Sequence, residues 1–395
     1  MALSRRGFVH AVGIGSATAL TGAWIGGRGR EHSVWSAIEP TLEAVAPGMI
    51  CLSSNENPLG PGKTVMKAVR AAFGEGGRTP GRYSSAGGDL IDAIAKKQGV
   101  KPDNIVLGCG STQILRTATH LFTAKDRALV GTIPTYEECA GYAEMMGNPV
   151  RPVALDADFK MDLGKMADAA KGAGLVFYCN PNNPTATYVG AKATREFLAK
   201  VNRESPETTV LIDEAYFDYV TDPDHDTHIG LAVENPRIVV ARTFSKAYGM
   251  AGLRLGYAVG HVDTIKKMRE WDGGSGASSL NVLALQAGIA AIEQDASLIT
   301  AERSRNTAAR DFTMKWFAER GMKPSDSQAN FMFVNIGRPA KEFRDGCRAK
   351  GVLVARDFPP FEKTHCRLSF GTMDEMKKAV AVFAEVLGKK VATAA

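Results

Sequence analysis

From about Ile50 onward, short apolar runs alternate with stretches whose apolar positions recur at helical spacing. Ile105–Gly108 reads as a strand that opens into a helix starting near Ser111, and Arg127 to Gly131 reads as a second strand. Leu175 to Cys179, Thr209 to Ile212 and Ile238 to Ala241 are near-continuous apolar runs between helical stretches. Strands of that kind are buried on both faces, so the pattern predicts an α/β fold with a mainly parallel central sheet covered by helices. After about Lys266 the character changes. Ala284 to Ile292 reads as an Ala-rich helix and Leu298 to Glu319 as a long one, followed by strand-like Phe331–Val334 and Cys366–Phe370. These predict a smaller α+β domain, with Gly273–Gly276 as a joint or active-site loop.

Length and composition refine this picture. A chain of 395 residues is too long for one small core. The expected organisation is an N-terminal segment (1–30), an arm (31–60), a large domain (61–265) and a small C-terminal domain (266–395). The net charge is +6, but no Lys/Arg run with interleaved aromatics occurs, which argues against nucleic-acid binding. Six scattered cysteines form no CxxC pair, so neither a disulfide framework nor a metal site is expected. Asp222–His228 is rich in Asp and His, yet its turn formers favour an exposed, solvated loop.

The N-terminus reads as an address rather than as part of the fold. Ser4-Arg5-Arg6-Gly7-Phe8-Val9 precedes a weakly apolar run from Ala11 to Ile25, which resembles a twin-arginine export signal. The run is short and rich in Gly, Ala and Thr, so no stable membrane span is expected. A periplasmic location is the expectation, with a cytoplasmic one as the alternative.

Four motifs carry candidate chemistry, each at the end of a predicted strand. Gly108-Cys109-Gly110-Ser111-Thr112 leads into a helix, where free N–H groups and two hydroxyls suit a phosphate, although many such turns merely cap helices. Asn180-Pro181-Asn182-Asn183-Pro184-Thr185 makes a rigid turn from which a side-chain amide can donate. Asp213-Glu214-Ala215-Tyr216 puts a carboxylate at the end of a buried strand, which is costly unless a cation pairs with it. A capping Asp is the plainer reading there. Thr243-Phe244-Ser245-Lys246 supplies hydroxyls and an amine, and Arg254 follows a short distance on. A lysine must lose its proton to act as a nucleophile, which requires desolvation or nearby positive charge. In this order and spacing the motifs match a pyridoxal 5′-phosphate site. Lys246 would form a Schiff base, Asp213 would hold the pyridine nitrogen protonated, and Arg254 with the hydroxyls would grip the phosphate.

The chain resembles a fold-type I pyridoxal-phosphate transferase, an aminotransferase of class I/II, and within that class the histidinol-phosphate aminotransferase subfamily. The resemblance spans roughly residues 48 to 388. It rests on Leu52–Gly60 as the N-terminal arm, Arg82-Tyr83, Pro134-Thr135-Tyr136, Asn183-Pro184-Thr185, Asp213–Tyr216, Ser245-Lys246, Ala251–Arg254, Arg356-Asp357 and Arg367–Thr372. The resemblance implies a homodimer with a shared site, in which Tyr83 reaches the neighbouring subunit's cofactor phosphate. Tyr136 would stack on the pyridine, while Asn183 and Tyr216 would bond its phenolic oxygen. Gly110, Ser111, Thr112, Thr243, Ser245 and Arg254 would hold the phosphate, and Asn55, Arg356 and Arg367 would bind substrate. It further implies transfer of an amino group from a small-molecule donor to a 2-oxo acid such as 2-oxoglutarate, with Lys246 as nucleophile and then general acid/base. Three stretches depart from the subfamily: Ala186 after Thr185, Ser84–Gly88 after Tyr83, and Gly273–Leu280. All lie near the expected substrate pocket, so the donor stays open between a histidinol-phosphate-like compound and an aromatic or basic amino acid. A decarboxylase or an oxygen-using oxidase would keep the same core residues.

Overall fold

The computed structural model describes residues 47–74, 79–271 and 279–388. The twin-arginine segment and Gly273–Gly276 lie outside the described residues. The strands are β1 (Ile50–Leu52), β2 (Ile105–Gly108), β3 (Leu129–Ile133), β4 (Val150–Ala154), β5 (Leu175–Cys179), β6 (Thr209–Asp213), β7 (Ile238–Thr243), β8 (Gly256–Gly260), β9 (Phe331–Asn335), β10 (Val352–Val354) and β11 (His365–Ser369). The helices are α1 (Gly62–Ala71), α2 (Ala86–Gln98), α3 (Gly110–Phe122), α4 (Glu138–Met145), α5 (Leu163–Ala169), α6 (Ala191–Glu204), α7 (Ile229–Glu234), α8 (Val262–Trp271), α9 (Val282–Glu293), α10 (Asp295–Ala318), α11 (Ala340–Arg348) and α12 (Met373–Leu387).

Seven strands form one sheet in the order β2-β8-β7-β6-β5-β3-β4. The pairs β3–β4, β3–β5, β5–β6 and β6–β7 are parallel, and β8 runs antiparallel to both β7 and β2. Every residue of β5, β6 and β7 is buried, as their unbroken apolar runs require. Strand β8 was not anticipated because Gly256-Tyr257-Ala258-Val259-Gly260 is bracketed by glycines. Its first glycine is needed for space: a Cβ on Gly256 would lie 2.5 Å from the Ser111 backbone nitrogen. That contact presses the start of α3 against the sheet.

A second core lies around antiparallel β9–β11 and parallel β1–β10, with Phe317, Phe343, Leu368 and Phe383 buried in it. Residues Leu280 to Ile292, which the sequence pattern grouped with the smaller domain, contribute to the large sheet's cluster instead. Helix α10 serves both cores. Its Glu302 accepts from the Tyr219 hydroxyl at 2.9 Å, while Arg305 grips Glu302 and donates to the carbonyl of Gly371 at 2.6 Å. The arm therefore belongs with the second core through β1, which places Ser53, Ser54 and Asn55 over the carboxyl ends of the central strands.

Candidate active site

The consecutive ends of β5, β6 and β7 deliver Asn180–Asn183, Asp213 and Thr243–Lys246 to one cleft, as the register of these parallel strands requires. Lys246 donates to the carbonyl of Ser54 at 3.1 Å, so strand β7 and the arm meet at the amine. Burial, Arg367 and Arg254 bring its pKa down to about 8, against the opposing pull of Glu56 and Asp213. The amine therefore reaches its neutral, nucleophilic form closer to neutral pH than a surface lysine does.

Asp213 is buried at the end of β6. Burial pushes its pKa up to about 7, although the Ala215 N–H, at 3.2 Å, and Lys246 favour the carboxylate. A buried acid held by one backbone donor is short of positive charge. Tyr216 lies beneath the arm: Asn55 Nδ2 donates to its hydroxyl at 3.1 Å, and its ring meets Phe331 edge-on at 4.9 Å. Asn55 is itself fixed by Ser369, whose hydroxyl donates to Oδ1 at 2.8 Å and accepts from the Asn55 N–H at 2.9 Å.

At the other end of the cleft, α3 begins at Gly110 with no side-chain cap from Cys109. The first N–H groups of a helix have no partner within it, so they face the cleft as an anion site. Arg254, in the left-handed region at φ 58°, donates to the Ala251 carbonyl at 2.9 Å and reaches Thr112 Oγ1 at 3.5 Å. Gly110 has φ 71°, and a Cβ there would lie 2.3 Å from Arg254 Nη2. The Thr243 hydroxyl donates to Ser245 Oγ at 2.9 Å and accepts from the Ser245 N–H at 3.1 Å. Tyr136 follows β3 and is half-buried, with its phenol pKa raised by burial.

Arg367, on β11, reaches the same cleft and acts on Lys246. Its Nη1 donates to Asn183 Oδ1 at 2.8 Å, and its Nη2 donates to the Ser53 carbonyl. The residue is buried, its Nε has no partner, and no carboxylate pairs with it among the described residues. Burial lowers its pKa to about 10. Arg356 comes to the same wall, but its Nη2 is paired with Glu137. Tyr83 stays apart from all these groups, with its side chain fully exposed.

The sequence reading missed Glu137, Asn182, Asn330 and Ser369. Asn182 ties the Asn180–Thr185 turn to the Pro134–Tyr136 turn, accepting from the Thr135 hydroxyl at 2.7 Å and donating to the Pro134 carbonyl at 3.1 Å. Asn330 donates to the Asn55 carbonyl at 2.9 Å. Asn182 and Ser369 lay inside the motifs already singled out and Glu137 directly after Tyr136, whereas Asn330 had no such signal. Asp222–His228 is only partly the solvated loop expected. His228 is buried, and Thr227 and the His228 N–H bind Glu214. Among the described residues no group of three or more His, Cys, Asp or Glu is placed to hold a metal.

The donor set fits a phosphorylated pyridine aldehyde: an amine, a buried acid with no ion-pair contact among the described residues, and a cradle of N–H groups, hydroxyls and Arg254 that a Cβ at Gly110 would fill. The family model described as aminotransferase class I and II matches residues 47–383. The chain belongs to the class I and II aminotransferase family. It is 33% identical over 344 residues to a histidinol-phosphate aminotransferase of Moorella thermoacetica, covering 86% of each chain. It is 35% identical over 336 residues to an aromatic amino acid aminotransferase of Mycobacteroides abscessus, covering 82% of this chain and 89% of that one. The structure of histidinol-phosphate aminotransferase from Sinorhizobium meliloti in complex with pyridoxal-5′-phosphate superposes with a TM-score of 0.78 at 26% identity, over 86% of this chain and 91% of that one.

This aminotransferase is a fold-type I enzyme that uses pyridoxal 5′-phosphate. When bound, the cofactor supplies the electron sink for a carbanion at the substrate's α-carbon. Asp213 would hold the ring nitrogen's proton, and that cation would in turn return the carboxylate to its charged form. Lys246 Nζ, its pKa brought down to about 8, would be the group placed to accept the substrate's α-proton and to deliver a proton on the product side. Asn55 fixes the Tyr216 hydroxyl, and the arm carbonyl of Ser54 orients Lys246.

Proposed function

We propose that this aminotransferase takes its amino group from a donor bearing one principal anionic group, histidinol phosphate or an aromatic amino acid, and passes it to a 2-oxo acid. The observation that carries this reading is the state of Arg367. It is a buried guanidinium whose contacts are neutral carbonyl oxygens and whose Nε is unsatisfied, so a carboxylate or phosphate meets an unspent cation there. The buried rings of Phe331 and Phe358 flank it, with centroids 5.5 Å and 4.8 Å from its Cζ, and hold the guanidinium in an apolar setting. The relatives named above carry these two donor classes in their names.

The test is a half-reaction screen. Purified holoenzyme is mixed with single amino compounds, and the cofactor absorbance is followed; 2-oxo acids, with 2-oxoglutarate among them, are then screened as acceptors. Stoichiometric, 2-oxo-acid-dependent transfer from histidinol phosphate or phenylalanine is expected. Release of CO2 or peroxide in place of transfer would overturn the reading in favour of a decarboxylase or an oxidase.

We further infer a homodimer and a periplasmic location. Tyr83 supports the first: it is fully exposed and apart from this chain's own cleft, which leaves its phenol free to enter a second subunit's. Sedimentation of a monomer at micromolar concentration would refute it. The Ser4–Val9 segment supports the second. Cell fractionation should find the wild-type protein in the periplasm and the R5K/R6K double variant retained in the cytoplasm; wild-type protein confined to the cytoplasm would refute the location, and unchanged export of the variant would refute the twin-arginine route.

A further inference from the structure

Two guanidinium groups face one ring on the substrate wall. Arg356 Cζ lies 4.5 Å and Arg367 Cζ 4.8 Å from the centroid of Phe358. They differ in what they hold. Among the described residues Arg367 has no carboxylate in ion-pair contact, Glu137 acting on it only at longer range, whereas Arg356 is ion-paired with Glu137. Glu137 sits at the N-terminal edge of α4, directly after Tyr136, and is largely covered. The other acid beside Arg356 is already committed: Asp357 binds Arg344 at 2.6 Å and offers Arg356 only its backbone carbonyl, at 2.9 Å. The pocket wall therefore holds two cations, of which one is neutralised by an acid from across the cleft.

We propose that Glu137 is a specificity-determining residue that neutralises Arg356 and sets the pocket for substrates with a single anionic group. A substrate bearing two carboxylates can place one on Arg367. Its second carboxylate must then displace Glu137 from Arg356 and leave that acid without its counter-charge, which removes most of the gain. A substrate with an apolar or aromatic side chain leaves the Glu137–Arg356 pair intact. This inference rests on the reading of Arg367 as the primary anion site.

The experiment uses holoenzyme and two unreactive probes, 3-phenylpropionate with one carboxylate and glutarate with two, whose binding is measured by titration calorimetry. Wild-type enzyme is expected to prefer 3-phenylpropionate. In Glu137→Gln the affinity ratio of glutarate to 3-phenylpropionate should rise by about tenfold or more. That rise should vanish in the Glu137→Gln/Arg356→Gln double variant, because the released cation is then absent. An unchanged ratio in Glu137→Gln, or a rise that persists without Arg356, would overturn the proposal. If 3-phenylpropionate binding proves insensitive to Arg367→Lys while the Arg356-dependent rise is present, the Arg367 reading fails and the Glu137 assignment stands.

Discussion

Asp213 and Glu214 are consecutive, and both are buried, yet their environments push them in opposite directions. Asp213 faces the cleft and is raised to about 7, because burial outweighs the Ala215 N–H and Lys246. Glu214 faces away from it. Burial alone would raise it too, but Arg242 and His228 more than offset that and bring it to about 2. Arg242 Nε and Nη2 donate to Glu214 Oε2 at 2.9 Å and 2.7 Å, and its guanidinium lies 3.9 Å over the Phe217 ring. The same contrast separates the buried arginines: Arg242 has its acid inside the fold, and Arg367 has no ion pair among the described residues. A buried charge whose counter-charge is supplied by the chain holds structure together, and one whose counter-charge is missing is kept for a ligand.

The sharpest break in that contrast is at the amine. Lys246→Ala in holoenzyme should lower the transamination rate by at least about 1000-fold with the thermal midpoint little changed; a surviving rate would remove the cleft's claim to the chemistry. The arginines come next. Arg242→Met strands Glu214 and should lower the unfolding free energy by about 3–5 kcal/mol in denaturant titrations, with KM of the folded fraction unaltered. Arg367→Met should leave stability equal or higher and raise KM for the donor by roughly 30-fold or more. Similar stability losses in both variants would erase the distinction.

The carboxylates give a smaller, pH-dependent signature in cofactor-free protein. Asp213 has a raised folded pKa, so its contribution is full below its ordinary 3.8 and is lost as pH rises through about 7. Glu214 has a lowered one, so its contribution is full above 4.5 and is lost as pH falls through about 2. Unfolding free energies across pH should therefore flatten on the neutral side in Asp213→Asn and on the acid side in Glu214→Gln. Changes on the same side in both variants would contradict the assignment. The mildest effect is expected at Gly110→Ala, where the new Cβ displaces Arg254 and should weaken cofactor retention in equilibrium dialysis by about tenfold.

Much of this arrangement was legible in the residues. The runs at Leu175, Thr209 and Ile238 are continuous because both faces of those strands are buried, and the site residues follow them directly in the chain. Local order was enough to bring Asn183, Asp213 and Lys246 together. The allegiance of residues 280–292 was not legible, because an Ala-rich helix fits either core equally well by pattern. Nor was the pairing of Glu137 with Arg356, which lie far apart in the chain and meet only across the cleft.

The sequence by itself determined which chemical groups the cleft contains, since motif residues at the ends of parallel strands have nowhere else to go. Only the tertiary structure decided which of those groups remain uncommitted. Whether a charge is neutralised depends on side chains arriving from other elements, as Glu214 meets Arg242 and Glu137 meets Arg356. Burial removes the water that would otherwise make the choice of partner unimportant, so Asp213 and Arg367 owe their availability to what the fold does not bring to them.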